Sequence, residues 1–131
     1  MSWEKDIKEI KKREKLALQQ GGAQSIKKQH NKGRKTLRER LDIILDKNSF
    51  DEIGKISGSA IYNESDELKD FTPANFLLGF GKVNKRTVII GGEDFTLKGG
   101  SPNPAGLRKS IYTEELALKY KIPLIRLHEG G

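Results

Sequence analysis

Apolar positions fall into two regimes along this chain, helical in the first third and strand-like beyond Phe50. Trp3, Ile7 and Ile10 recur at helical spacing in a charged segment closed by Gly21-Gly22, which predicts a peripheral helix followed by a break. Thr36-Leu37-Arg38-Glu39 has the form of a capping box, the Thr36 hydroxyl and the Glu39 carboxylate each taking a first-turn amide. Leu37, Leu41, Ile44 and Leu45 give that helix a buried stripe, ending near Lys47-Asn48.

Phe50 to Ile56 reads as a short strand entry, and the acidic, polar run from Tyr62 to Pro73 as a loop. Phe76 to Val83 and Thr87 to Ile90 are two strand-like runs joined at Asn84-Lys85, a hairpin signal because Asn tolerates positive φ. Gly91-Gly92 is expected to form a bulge before a further strand-like run, Glu93 to Leu97. Asn103-Pro104 then marks a helix start, a capping residue followed by proline at the first helical position. Leu107, Ile111 and Leu118 share one face of that helix, which should end near Tyr120, ahead of Pro123. Ile122 to Leu127 is a buried strand, with Pro123 tolerated at its start.

Strand, crossover helix and strand make a right-handed βαβ unit. Each of its apolar runs is followed by a glycine pair, Gly99-Gly100 and Gly130-Gly131. Parallel neighbours would bring both pairs to one carboxyl-terminal sheet edge, where open α/β sheets place ligands. Main-chain amides unobstructed by side chains suit an oxyanion or a phosphate there.

Composition narrows the class. A chain of 131 residues, 34% hydrophobic and 33% charged, describes one domain with a modest core, or a piece of a larger one. No run approaches the ~20 apolar residues of a membrane span. The first residues lack the layout of a secretory or organelle leader, so a cytoplasmic address is expected. With no cysteine, disulfides and thiolate chemistry are excluded.

The net charge of +7 is concentrated at one end. Residues 1–48 carry fourteen Lys/Arg against seven Asp/Glu, and the remainder eleven against eleven. Lys27, Lys28, Lys32, Arg34, Lys35, Arg38 and Arg40 form the densest part, so an anionic partner or a solvated helical arm both fit. No aromatic residue lies between Glu4 and Ser49, which removes the stacking platform of single-strand binders. No zinc-finger or RNP-like signature is present either.

Catalytic motifs are mostly absent. His128-Glu129 is not followed by a second histidine, and His30 is the only other imidazole, so no metal site is expected. Neither glycine-rich loop matches the phosphate-loop pattern. Ser59 does not sit in a nucleophile elbow, and Ser101 and Thr96 have no evident base.

The order of motifs resembles a known family. Gly22-Ala23-Gln24 and the block Gln29 to Leu41, then Leu45-Asp46-Lys47-Asn48-Ser49-Phe50-Asp51-Glu52, are similar to the opening of the carboxyltransferase subunit of biotin-dependent acyl-CoA carboxylases. Gly79-Phe80-Gly81-Lys82-Val83-Asn84-Lys85-Arg86 and Glu93-Asp94-Phe95-Thr96-Leu97-Lys98-Gly99-Gly100-Ser101 are similar to its next two blocks, in order. The resemblance spans nearly all of residues 22–131. It departs from the family at Pro102 and Pro104, which remove two amide donors from the first loop, and at His128-Glu129, where many members have a smaller lead-in.

The resemblance implies an α/β, crotonase-like fold of β-β-α units, incomplete and preceded by N-terminal helices. Residues 1–48 would be a basic helical arm and 49–131 part of the carboxyltransferase domain. The implied activity is transfer of a carboxyl group from carboxybiotin, borne by a partner carrier protein, to the α-carbon of an acyl-CoA such as propionyl- or acetyl-CoA. Gly130 and Gly131 match the glycine pair that binds the thioester oxygen. Thr96, Lys98, Gly99, Gly100 and Ser101 fall near the CoA arm, and Arg34 and Arg38 where CoA phosphates would be attracted. The implied partners are the biotin carboxyl carrier and biotin carboxylase components, the rest of the subunit and further copies of it, with no membrane or nucleic acid. This chain alone would be inactive and would bind no cofactor directly. On the residues alone, a small basic protein binding anionic polymers stands as the alternative.

Overall fold

The computed structural model describes residues 2–129. Helices α1 (Glu4–Leu18), α2 (Ala23–Asn31) and α3 (Leu37–Ile44) precede the strands β1 (Asp51–Ile53), β2 (Gly58–Tyr62), β3 (Leu68–Pro73), β4 (Phe76–Val83) and β5 (Arg86–Glu93). A 3₁₀ turn (Lys98–Gly100), helix α4 (Pro104–Tyr120) and strand β6 (Leu124–Leu127) complete the order. The main sheet runs β1-β4-β5-β6, antiparallel except for the parallel β5–β6 pair. Strand, helix and parallel strand therefore form the expected βαβ unit.

Local chemistry explains the ends of these elements. Both bonds of the Thr36–Glu39 capping box are present, Glu39 N–H to Thr36 Oγ1 at 3.3 Å and Thr36 N–H to Glu39 Oε2 at 2.8 Å. The Asn103 side chain accepts from the Gly106 amide at 2.7 Å, with Pro104 opening α4 as expected. Asn84 and Lys85 take φ of 48° and 68°, the paired positive angles of a two-residue hairpin turn. The Asp46 carboxylate accepts both their amides, at 2.9 and 2.7 Å.

The sheet is covered on both faces. Leu37, Leu41 and Leu45 pack from α3 and its end onto Leu77, Val88, Ile90 and Leu127. On the opposite face Leu116 of α4 meets Phe76, Leu78 and Ile89. Helix α1 instead lies against the separate β2–β3 hairpin, through Ala17, Leu68 and Phe71.

Three expectations are corrected. The stretch expected to be a loop from Tyr62 onward pairs as the β2–β3 hairpin, because Leu68 and Phe71 reach a buried face among polar neighbours. Gly91-Gly92 is no bulge: both residues continue β5 in register, Gly91 opposite Leu78 and Gly92 opposite Leu77. Glu93 to Leu97 leaves the sheet after Glu93, because the Asp94 carboxylate draws the Thr96 amide into a turn.

Two apolar stripes face outward. Trp3, Ile7 and Ile10 on α1 are exposed, as are Leu107, Ile111 and Leu118 on α4. The inward face of α4 is made of Gly106, Lys109, Thr113 and Leu116. Leu78→Ala should therefore cost ~2–5 kcal/mol in urea denaturation, whereas Leu118→Ala should stay within ~0.5 kcal/mol. Equal effects would contradict this assignment of faces.

Candidate functional site

Parallel pairing of β5 and β6, with Gly92 opposite Leu127, sends both strands out at the same edge. The two segments leaving that edge are the 94–103 turn and the run after Leu127. Gly130 and Gly131, the second expected pair, lie outside the described residues, and the account of this segment stops at Glu129.

The first turn is built around Asp94, which is 1% exposed. Its Oδ1 accepts from the Thr96 amide at 2.9 Å and the Thr96 hydroxyl at 2.5 Å. Thr96 Oγ1 in turn accepts from the Gly21 amide at 2.9 Å, tying the break after α1 to this turn. A Cβ on Gly21 would stand 1.8 Å from the Thr96 carbonyl oxygen, so only glycine fits there. Burial pushes the Asp94 carboxyl up, against the bonds from Thr96 and the charge of Arg38, which pull it down.

Lys98, Gly99 and Gly100 then take successive positive φ of 48°, 60° and 76°. A Cβ on Gly100 would overlap the Phe95 ring at 2.6 Å, while one on Gly99 would meet open space. The Gly100 amide donates to Leu97 O at 3.0 Å and the Ser101 amide to Lys98 O at 3.2 Å. Those two donors are therefore occupied within the turn. The Asn75 amide group donates to Ser101 O, and its Oδ1 accepts from the Asn103 amide at 3.4 Å. Thr96 is buried and doubly bonded, so it builds the turn and offers no free hydroxyl. Lys98, Gly99 and Ser101 are exposed, and Gly100 is half-buried.

The basic segment meets the exit of β6. Arg40 donates both terminal guanidinium nitrogens to His128 O, at 3.5 and 3.4 Å. The buried Gln29 side chain donates to the Glu129 carboxylate, and Arg34 stands 3.8 Å from that carboxylate with half its side chain exposed. Arg38 turns elsewhere, forming a bidentate pair with Glu52 at 2.9 and 3.0 Å. Of the two arginines singled out, Arg34 lies beside the β6 exit and Arg38 braces β1. Gln29, Arg40, Asn75, Glu93 and Asp94 were not singled out as site residues; all but Asp94, which bonds to Thr96 two residues on, act through long-range contacts that leave no local pattern.

The His128 Nδ1 lies 3.6 Å from Glu93 Oε1, and Glu93 Oε2 is buried without a hydrogen-bond partner among the described residues. Between Asn75, Glu93, Gly100 and Gly106 is a hollow of about 60 Å³, well under the ~300–1,000 Å³ of small-molecule sites. It does not fit the bicyclic ring of biotin. No group of three or more His, Cys, Asp or Glu that could hold a metal occurs among the described residues, and no described helix is long and apolar enough to cross a membrane.

Comparison with known proteins bears on this edge. The carboxyl transferase domain family matches residues 28–131. The chain is 32% identical over 111 residues to a methylmalonyl-CoA decarboxylase subunit alpha of Veillonella parvula, covering 85% of this chain and 22% of that protein. It is 31% identical over 130 residues to a propionyl-CoA carboxylase beta chain of Cereibacter sphaeroides, covering 97% of this chain and 25% of that one. A transcarboxylase 12S crystal structure with methylmalonyl-coenzyme A bound superposes with a TM-score of 0.81 at 28% identity, over 100% of this chain and 26% of its own. The chain thus spans about a quarter of the length of these relatives.

The buried carboxyl gives a pH test. With the folded pKa raised, the stability associated with Asp94 is full below the ordinary carboxylate range and is lost as pH rises through the folded value. The stability of Asp94→Asn relative to the parent should therefore rise in denaturant titrations as pH climbs through and above the ordinary carboxylate range. A flat difference would refute the buried-carboxyl assignment.

Proposed function

Because this chain belongs to the carboxyl transferase domain family, we propose that it forms the acyl-CoA side of an acyl-CoA carboxylase carboxyltransferase site, taking the carboxyl group from carboxybiotin. The observation that carries this reading is the parallel exit of β5 and β6 at one edge, with the family match running through both exits. Carboxybiotin would supply the carboxyl group, presented by a carrier protein. The hollow beside this edge is too small for its ring.

The work left to this chain is positioning and charge stabilisation. Gly130 and Gly131 are assigned as main-chain donors to the thioester oxygen, where negative charge develops once the α-proton leaves. Fixed donors of this kind are worth ~2.7–4 kcal/mol each in the transition state. Bonds from Gln29 to Glu129 and from Arg40 to His128 O support the chain just before that pair. Lys98, Gly99, Ser101 and Arg34 are assigned to the CoA arm, with Arg34 the cation for a phosphate. Thr96 and Arg38 serve the same site indirectly, as parts of the turn and of the β1 brace.

The polymer-binding alternative is weakened at Arg38, whose guanidinium is held by Glu52, and at Arg40, which closes on His128 O.

The test is a chimera in which this chain replaces the matching quarter of the Cereibacter sphaeroides propionyl-CoA carboxylase beta chain. It should carboxylate propionyl-CoA from carboxybiotin, and Gly131→Val should lower kcat by ~10²–10³ with assembly intact. The 131-residue chain alone should show no turnover. Transfer by the isolated chain, or full activity of the assembled Gly131→Val chimera, would overturn the proposal.

A further inference from the structure

Away from the β6 exit, a groove of about 510 Å³ opens between the end of β1 and the first turns of α4. Ile53, Ile56 and Leu78 form its apolar wall, and Ser57, Arg108, Lys109 and Tyr112 its polar one. Lys109 is 8% exposed. Its ammonium donates to Gly54 O at 3.0 Å, the one hydrogen bond from its three donors among the described residues.

The surroundings leave this cation uncompensated. Glu52, the carboxylate whose charge acts on Lys109, is held by both terminal nitrogens of Arg38, and Arg38 adds a second positive charge. Burial lowers the Lys109 pKa to about 8. A buried cation short of acceptors is costly, and an anion entering the groove would supply them.

We propose that this groove binds a monocarboxylate with an aliphatic body, its carboxylate on Lys109 Nζ and its chain along Ile53, Ile56 and Leu78. The size suits a small molecule, and an apolar lining with few polar groups is the usual composition of such sites. One buried ammonium matches one carboxylate. A phosphate dianion would meet about twice the repulsion from Glu52 that a carboxylate meets. This proposal is independent of the reading of the β6 exit, because its test needs neither CoA nor turnover.

The experiment is an NMR titration of the 131-residue chain with hexanoate, beside hexanol and inorganic phosphate. Hexanoate should give saturable shifts at Ile53, Ile56, Ala105 and Tyr112. Hexanol, which lacks the charge, should bind about tenfold more weakly or worse, as should phosphate. Lys109→Met should remove the preference for hexanoate over hexanol. Should that variant fail to fold, Ala105→Phe, which narrows the groove without touching the ammonium, should weaken hexanoate binding.

Raising the pH past 8 should also weaken hexanoate binding as the amine loses its charge. The other charged or titratable groups at hand are Glu52 from β1, Arg38 from α3, and Arg108 and Tyr112 from α4. Equal binding of hexanol and hexanoate, tighter binding of phosphate, non-saturating shifts over the lysines of α1, or a folded Lys109→Met chain with unchanged preference would each overturn the proposal.

Discussion

The structure turns on a close backbone approach at Gly91 and Gly92. A Cβ on Gly92 would stand 2.5 Å from Leu127 O and 3.0 Å from the Leu37 side chain, and one on Gly91 would stand 2.8 Å from the Phe76 ring. Neither gap admits a side chain. The absence of one lets β6 pair in register with β5 while α3 seats directly on the sheet. Glycine ordinarily weakens a strand interior, so its use twice in a buried strand marks a packing requirement. Everything at the candidate edge follows, because the register of β6 decides where residues 128 and 129 meet Gln29, Arg34 and Arg40.

Electrostatics couples the same edge to the N-terminal helices. The cationic excess of residues 1–48 fits in sequence either an anionic partner or a solvated arm; in the α2–α3 portion Lys27, Lys28, Lys32, Arg34 and Lys35 stay exposed, while Arg38 and Arg40 turn inward. Arg38 holds Glu52, and Arg40 closes on a carbonyl at the strand exit. His30 contacts the capping Glu39 at 2.8 Å, and the Thr36 amide, with help from His30, holds that carboxyl below its ordinary value. The helical arm is therefore part of the site's scaffold.

Legibility from sequence followed the range of the interaction. Thr36, Asn103-Pro104 and Asn84-Lys85 were readable because caps and tight turns are decided within four residues. The parallel β5–β6 unit and the family were readable from the order of motifs. The strand run expected at Glu93 to Leu97 was not, because Asp94 and Thr96 close a turn on themselves and on Gly21, far away in sequence. Periodicity showed that Leu107, Ile111 and Leu118 share a face, but not that the face is outward. The inner face holds Thr113, 0% exposed with its hydroxyl bonded to Lys109 O at 2.7 Å. Of the candidate site residues, Arg34 and the 98–101 turn lie at the edge where β5 and β6 leave the sheet, and no local pattern showed that Arg38 and Thr96 would be consumed by internal partners.

Native-state hydrogen exchange on Gly92→Ala beside the parent chain tests the central constraint most directly. The added methyl group must push β6 and α3 away, so amides of β6 and of the first turn of α3 should lose protection while the β4–β5 hairpin keeps its own. Unchanged protection in β6 would show that the close approach at Gly92 does not govern how that strand is seated.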